Sequence, residues 1–421
     1  MTQRPVSVPF SVPFPVVMGV GSRCVILLVM LGLAPLLPAP PGGIQAEWGW
    51  EVFSAWDSDH YQTIATQGYA GEPTAELSPL FAFFPLFPLV VRGLMALGLP
   101  FAGAGVLVSA VGFGVAVAIV DRWVTEDYGP IAARWAVTVL CCFPFSLFAS
   151  VAYTEGLFLG LSSLTLYQFQ HRRYRQAALW GALATATRIT GLALVPALGL
   201  VAWKERRSIA AFFAAFAPLA GVGAYSLYCG LRVQNPLAFL EAQKYWQAAD
   251  QAFWGQPWLT MVAQAFLGPA NAEAGALVDP VYPAIVLVMG GLAWGLRSVW
   301  SRWGETRSSA CAAVLVLGFW LLGGDPALNL GIAIGTLVLF WRMRSQLQPL
   351  PWFYSLSSLA IIFASGRTIS VERHIYGMVT FSLALGLILA QYPQRGRLLM
   401  AFFGLLLVLM SLRFAQHLWV A

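Results

Sequence analysis

The chain has 421 residues, 59% hydrophobic and only 10% charged, with mean hydropathy +0.72 and formal net charge +6. A soluble domain carries about a quarter charged residues, and a membrane barrel shows short alternating strands. Repeated apolar runs, each long enough to cross about 30 Å of hydrocarbon as a helix, exclude both, and predict an all-α polytopic membrane protein with no sizeable soluble domain.

The first apolar run, residues 13–37, reads as an uncleaved span rather than a signal peptide, because cleavage would free the charged stretch that follows. Residues 41–77 contain no Lys or Arg, which places them outside. Within them, "AWDSDHYQTIATQGY" (55–69) concentrates charge in a chain that otherwise avoids it. As a helix over 57–68 it puts Asp57, His60, Tyr61, Ile64 and Gly68 on one face. Asp59 falls about 200° away from Asp57, so the two carboxylates do not form a close pair. Spacing alone leaves Asp57 open as the N-cap of a surface helix or as a catalytic carboxylate.

Four apolar runs follow, 78–98, 101–120, 131–148 and 152–170, before the basic cluster "HRRYRQ" (171–176). Four crossings would leave that cluster outside, against the positive-inside rule. The run 78–98 carries Pro79, Pro85, Pro88 and Arg92, so it is predicted to lie on or dip into the outer leaflet. "DRWVTED" (121–127) reads as a solvated loop. Residues 177–203 sit between "HRRYRQ" and "KERR" (204–207), too short for two full spans; a pair of short helices meeting near Arg188 resolves this. Spans near 208–228, 281–297, 309–322, 327–341, 352–366, 375–391 and 398–415 then alternate, with "GGDP" (323–326) as a turn. The domain expectation is one integral-membrane unit over 1–421, with a first outer loop about 38–100 and a second about 231–280. The basic residues lie in short clusters between spans, which argues against a nucleic-acid partner. The five cysteines show no metal-ligand spacing.

This topology gathers Asp57, Asp59, His60, Glu155, Arg188, Glu241, Lys244, Arg367, Glu372, Arg373 and His374 on the outer side. Charges at membrane depth commonly line a polar cavity. A cavity carboxylate can accept a proton and cavity cations can hold an anion; Asp57 suits the first role, and Arg373, Arg367 or Lys244 the second. Trp56, Tyr61, Tyr153 and Trp246 are candidates to stack on a ligand or to anchor at the interface. Glu155, Arg188 and His374 each have a structural alternative, as a cap, a carbonyl partner and an interfacial histidine.

The order of motifs resembles the PIG-V-type mannosyltransferase family. "WDSDHYQTIATQGY" is similar to its WD-x-x-HY-x-x-IA-x-x-GY signature, "FAFFPLFPLVVR" to its FFPLYP element, "SVAYTEGLF" to YTESLF and "ATATRITG" to TR-x-x-G. Later, "NPLAFLEAQKYW" and "SVERHIYG" resemble elements of prokaryotic members. Gly156 stands where the family usually has Ser, and His374 where it usually has Tyr. The resemblance implies a GT-C-type helical bundle whose first outer loop carries juxtamembrane helices. It implies transfer of a sugar, mannose by family, from a polyprenyl- or dolichyl-phosphate donor to a glycolipid or protein acceptor. It implies Asp57 as base, with Asp59, His60, Tyr61, Glu155, Arg188, Lys244, Arg367, Arg373 and His374 as substrate-binding candidates, and Arg373 on the donor phosphate. No metal or other cofactor is expected. The location expected is the plasma membrane for a prokaryotic chain or the endoplasmic reticulum for a eukaryotic one, with the site extracytoplasmic. The competing classes are a transporter or flippase of lipid-linked sugars, which often has repeated halves and broken midplane helices, and a non-catalytic lipid-sugar-binding relative. An Asp57 that shares a cavity with Arg373 would favour the enzyme.

Overall fold

A computed structural model describes residues 13–69, 77–246 and 255–420, which form helices and connections with no strand among them. The first span runs through α1 (Phe14–Leu27) and two tighter or wider turns to Leu36. The first loop then carries α2 (Asp57–Gln67) and α3 (Leu86–Met95). At ten residues α3 is about 15 Å long, half of a hydrocarbon core, too short to cross by itself. Phe87, Pro88 and Val91 pack inward, while Leu89 and Val90 are exposed.

α4 (Phe101–Tyr128), α5 (Pro130–Cys142) and α6 (Glu155–Gln170) form the centre of the bundle. The expected loop "DRWVTED" is instead the last two turns of α4. Arg122 pairs with Glu126 at i, i+4, and the Trp123 indole donates to Asp127. Loss of hydropathy marked the edge of the apolar stretch, not the end of the helix. α4 and α6 touch backbone to backbone: a Cβ on Gly156 would stand 2.2 Å from Ser109 O, and one on Gly160 2.5 Å from Gly112 O. Small residues permit this approach in membrane helices.

α7 (Tyr174–Thr187) and α8 (Leu194–Lys204) are the two short helices expected in 177–203, and Arg188 sits at the break in extended backbone. α9 (Ile209–Phe216) and α10 (Leu219–Val233) meet at Pro218, then α11 (Ala238–Glu241), α12 (Gln256–Leu267) and α13 (Pro269–Ala274) form the second loop. α14 (Val281–Trp303) leads to α15 (Glu305–Met343). At 39 residues α15 would measure about 58 Å if straight, yet its two ends meet at one end of the bundle. Ser308 donates to Trp300 O, Arg395 stacks on Trp300 and Tyr392, and Arg342 donates to the Tyr392 hydroxyl. Gly323 lies at the opposite end, beside Tyr282. α15 is therefore a hairpin folded at Gly324, whose φ of 58° suits glycine, with Pro326 opening the second arm. The "GGDP" turn stands.

α16 (Pro349–Ala364), α17 (Val371–Tyr376), α18 (Val379–Gln391) and α19 (Pro393–Ala415) complete the chain. The span expected at 375–391 is shorter, because residues 371–376 form a separate turn of helix before α18. Six helical stretches among the described residues are long and apolar enough to cross a membrane, and five shorter apolar helices accompany them. The molecule is an all-α polytopic membrane protein. Its two ends differ chemically. At one, Arg207 caps Phe169 O, Gln170 bonds Gln348, and Arg342 and Arg395 meet Tyr392. At the other, the loop before α2, the 143–154 segment, the α7–α8 break and the α16–α17 connection converge.

Candidate active site

Two pieces of broken backbone build the site. α5 stops at Cys142 because Pro144 removes a donor, and residues 143–154 run irregularly to α6. Away from water, such backbone needs partners from within the protein. Arg23 of α1 donates to Ser146 O (2.9 Å), Ser146 Oγ (3.0 Å) and Cys141 O (3.3 Å). The Tyr376 hydroxyl donates to Leu140 O, and Ser109 Oγ lies 2.8 Å from both Val151 O and Tyr153 O. The segment ends at Tyr153, Thr154 and Glu155, which face the start of α2.

There, Trp56 has φ 59°, a left-handed conformation uncommon for an aromatic residue. It turns the chain sharply into α2. The Asp57 amide donates to the Tyr153 hydroxyl, which donates on to Ala55 O, each at 3.1 Å, and Ser58 Oγ donates to Ala152 O. α2 has no side-chain cap, so the capping alternative for Asp57 does not hold. Its carboxylate instead points at Arg373 of α17, Nη1 to Oδ2 2.9 Å.

The charges continue as a chain. Arg373 Nε lies 3.4 Å from Glu155 Oε1, a charge contact rather than a hydrogen bond. Glu155 is ion-paired with Arg188, which also donates to Thr154 Oγ1 (3.0 Å) and to His374 Nδ1 (3.1 Å). The Glu155 side chain is 1% exposed and that of Asp57 25%. Asp57 thus opens onto a cavity of about 90 Å³, which Tyr61, Phe83, Thr187, Arg188, Gln243, Arg367, Arg373 and His374 also line. Burial, together with repulsion from Arg188, Arg373 and Arg367, pushes the His374 imidazole well below its ordinary value, so it is neutral and accepts the Arg188 proton. Burial opposes charge on Arg373, but Asp57 and Glu155 outweigh it and raise its pKa. At Arg367 the balance is reversed: burial first, then the neighbouring Arg373, outweigh the opposing pull of Asp57 and lower it to about 10, still charged at neutral pH.

The sequence candidates therefore divide. Asp57, Tyr61, Glu155, Arg188, Arg367, Arg373 and His374 come together. Tyr61 is buried with its hydroxyl 3.4 Å from Thr154 Oγ1. His60 stacks on Phe83 at 4.7 Å, behind the cavity wall. Asp59 is exposed and faces a separate surface pocket with Glu47, Glu51 and His417. Lys244 is exposed and does not line the cavity; its neighbour Gln243 does, accepting from Arg367 Nη1 at 3.1 Å. The side chain of Trp246 lies outside the described residues. Sequence reasoning missed Gln243 and the Tyr153 contact to the Asp57 amide, since neutral amides and hydroxyls stand out little in a polar loop. Among the described residues no three or more His, Cys, Asp or Glu side chains converge as metal ligands would.

Fold and site define a multi-span helical membrane protein with an acid–arginine cavity at one end. Residues 31–216 match the family model described as Mannosyltransferase (PIG-V). The chain is 31% identical over 153 residues to GPI alpha-1,6-mannosyltransferase 2 of Cricetulus griseus, and 31% over 158 residues to that of Homo sapiens. Each match covers 34% of this chain and 30% of the relative, so the matched stretch spans under a third of those curated relatives. The resemblance to PIG-V mannosyltransferases is thus shown over a stretch that includes Asp57, Glu155 and Arg188; the two later motifs lie beyond it. Among solved structures, the Archaeoglobus fulgidus oligosaccharyltransferase, crystallised with zinc and sulfate, matches at TM-score 0.46 and 12% identity, over 95% of this chain and 53% of that one. ArnT of Cupriavidus metallidurans, bound to undecaprenyl phosphate, matches at TM-score 0.41 and 14% identity, over 94% and 77%.

Proposed function

We propose that the chain is a GT-C-type glycosyltransferase that moves a sugar, mannose by family, from a polyprenyl-phosphate donor to a lipid-linked or protein acceptor. The observation that carries this reading is the cavity itself: one solvent-reachable carboxylate, Asp57, beside Arg373, Arg188 and Arg367. Asp57 accepts the proton of the acceptor hydroxyl as its oxygen attacks the anomeric carbon. The net positive charge of the arginine cluster stabilises the negative charge that grows on the departing lipid phosphate. Glu155, buried and held by Arg188, positions rather than reacts. A flippase needs a polar path through the bilayer, whereas these charges form one closed cluster at one end. The similarity to PIG-V relatives, mannosyltransferases by name, supports mannose as the transferred sugar. The site end is assigned as extracytoplasmic because Arg207, Arg342 and Arg395 gather at the other end.

The test is incubation of purified protein with a panel of radiolabelled polyprenyl-phosphate sugars and glycolipid acceptors. Transfer from one of them is expected. Asp57→Asn should lower kcat by about 10² to 10⁴, and Asp59→Asn should stay near wild type. Wild-type turnover by Asp57→Asn would remove Asp57 from the chemistry.

A further inference from the structure

We infer that the cations of the cavity divide their labour: Arg367, with Gln243, clasps the donor's phosphate, and Arg373 is a positioning residue for the base Asp57. This deepens the proposed function and rests on it. The argument is a count of charges that face one another. Arg373 touches two carboxylates, Asp57 at 2.9 Å and Glu155 at 3.4 Å. Arg188 is ion-paired with Glu155 and spends two further donors on Thr154 and His374. His374 is neutral and adds no charge. Three arginines therefore meet two carboxylates, and one positive charge remains.

Arg367 carries that charge. Among the described residues no acid lies within ion-pair distance of it. Its Nη1 donates to a neutral amide, Gln243 Oε1, and its Nε is buried without a hydrogen-bond partner. A buried guanidinium donor left unmet is costly, and Arg367 lines the same polar cavity as the base Asp57. An oxyanion between Nε and the second Nη would complete the bidentate fork that arginine offers to phosphate. The same edge of Arg373 already faces Glu155, 3.4 Å from its Nε, so Arg373 cannot offer this fork without displacing that acid. Held as it is, its Nη1 fixes one carboxylate oxygen of Asp57 and leaves Oδ1 for the acceptor's proton. One unmatched cation also suits the single negative charge of a sugar phosphodiester.

The experiment measures binding of radiolabelled undecaprenyl phosphate to full-length protein in nanodiscs that hold a constant share of phosphatidate, so that attraction to bulk headgroups is common to every variant. Turnover with the active donor is measured in parallel. Arg367→Gln should weaken undecaprenyl phosphate binding and raise donor KM by about 10- to 100-fold, the value of a charge-assisted hydrogen bond. Arg373→Gln should lower kcat with binding changed by less than about threefold, and Arg373→Lys should restore part of kcat. Because Arg373→Gln strips a partner from Asp57, binding is also read in Asp57→Asn and Asp57→Asn/Arg373→Gln, which lack the orphaned acid. Equal losses of binding in the two Gln variants, or a larger loss on changing Arg373, would overturn the division of labour while the donor reading stands. Failure of the wild-type protein to bind undecaprenyl phosphate would overturn both.

Discussion

Gly156 shows how one residue records the packing around the site. The family usually has Ser there, yet a Cβ would meet Ser109 O at 2.2 Å and Ser109 Cα at 2.8 Å. Backbone cannot yield as a side chain can, so α4 and α6 must separate to admit it. Gly156→Ser is expected to destabilise by about 1–3 kcal/mol, the usual cost of overpacking, read as a lower Tm in detergent; an unchanged Tm would mean the seam is looser than its geometry. The departure from the family residue was legible in sequence, but its cause was not, because no local pattern states which face of α6 meets α4. Asp57 was legible because a carboxylate is conspicuous in an apolar chain. Lys244 was conspicuous for the same reason and proved misleading: the short turn over 242–246 points Gln243 inward and leaves the lysine in solvent.

Among the elements, those that break rules were the easiest to read. Three prolines and a parity conflict marked 78–98, and a run too short for two spans marked the α7–α8 break at Arg188. The C-terminal extension of α4 and the separate α17 were hidden, because hydropathy reports the hydrocarbon and not where a helix ends. α17 has its own electrostatic signature. Glu372 is 2% exposed with Oε2 unpartnered. Burial above all, with Asp325 at the fold of α15 also raising it, pushes its carboxyl up to about 8 despite the opposing pull of Arg373. The folded protein therefore holds a proton that the unfolded chain releases near its ordinary value of 4.5. Stability from this group is complete below that value and is lost as pH rises towards 8. Glu372→Gln, which stays neutral, should show a flatter dependence of Tm on pH between 5 and 8 than wild type. Parallel curves for the two proteins would place Glu372 in contact with water.

At the scale of the whole molecule, the sidedness assignment is testable through α3 and the turn after it. Leu97 is 77% exposed there. In a chain with its five native cysteines replaced by alanine, Leu97→Cys should react with an impermeant thiol reagent applied to the extracytoplasmic face of sealed membranes. Labelling only from the cytoplasmic face would invert the topology. The sequence pointed to which charges share an end, because crossings alternate and basic clusters set their sense. Which acid meets which arginine was beyond it, since those contacts join the first loop to the last. That span has a consequence in time. Asp57 emerges from the ribosome about 300 residues before Arg373, its ion-pair partner. At roughly 5 to 20 residues per second the interval is about 15 to 60 s. During it the nascent chain carries Asp57 unmatched, and Glu155 waits for the same arginine. The cavity is thus among the last features to form, so any chain cut short before α17 would display an acidic, open pocket: a chemical mark by which quality-control proteases could tell unfinished copies from finished ones.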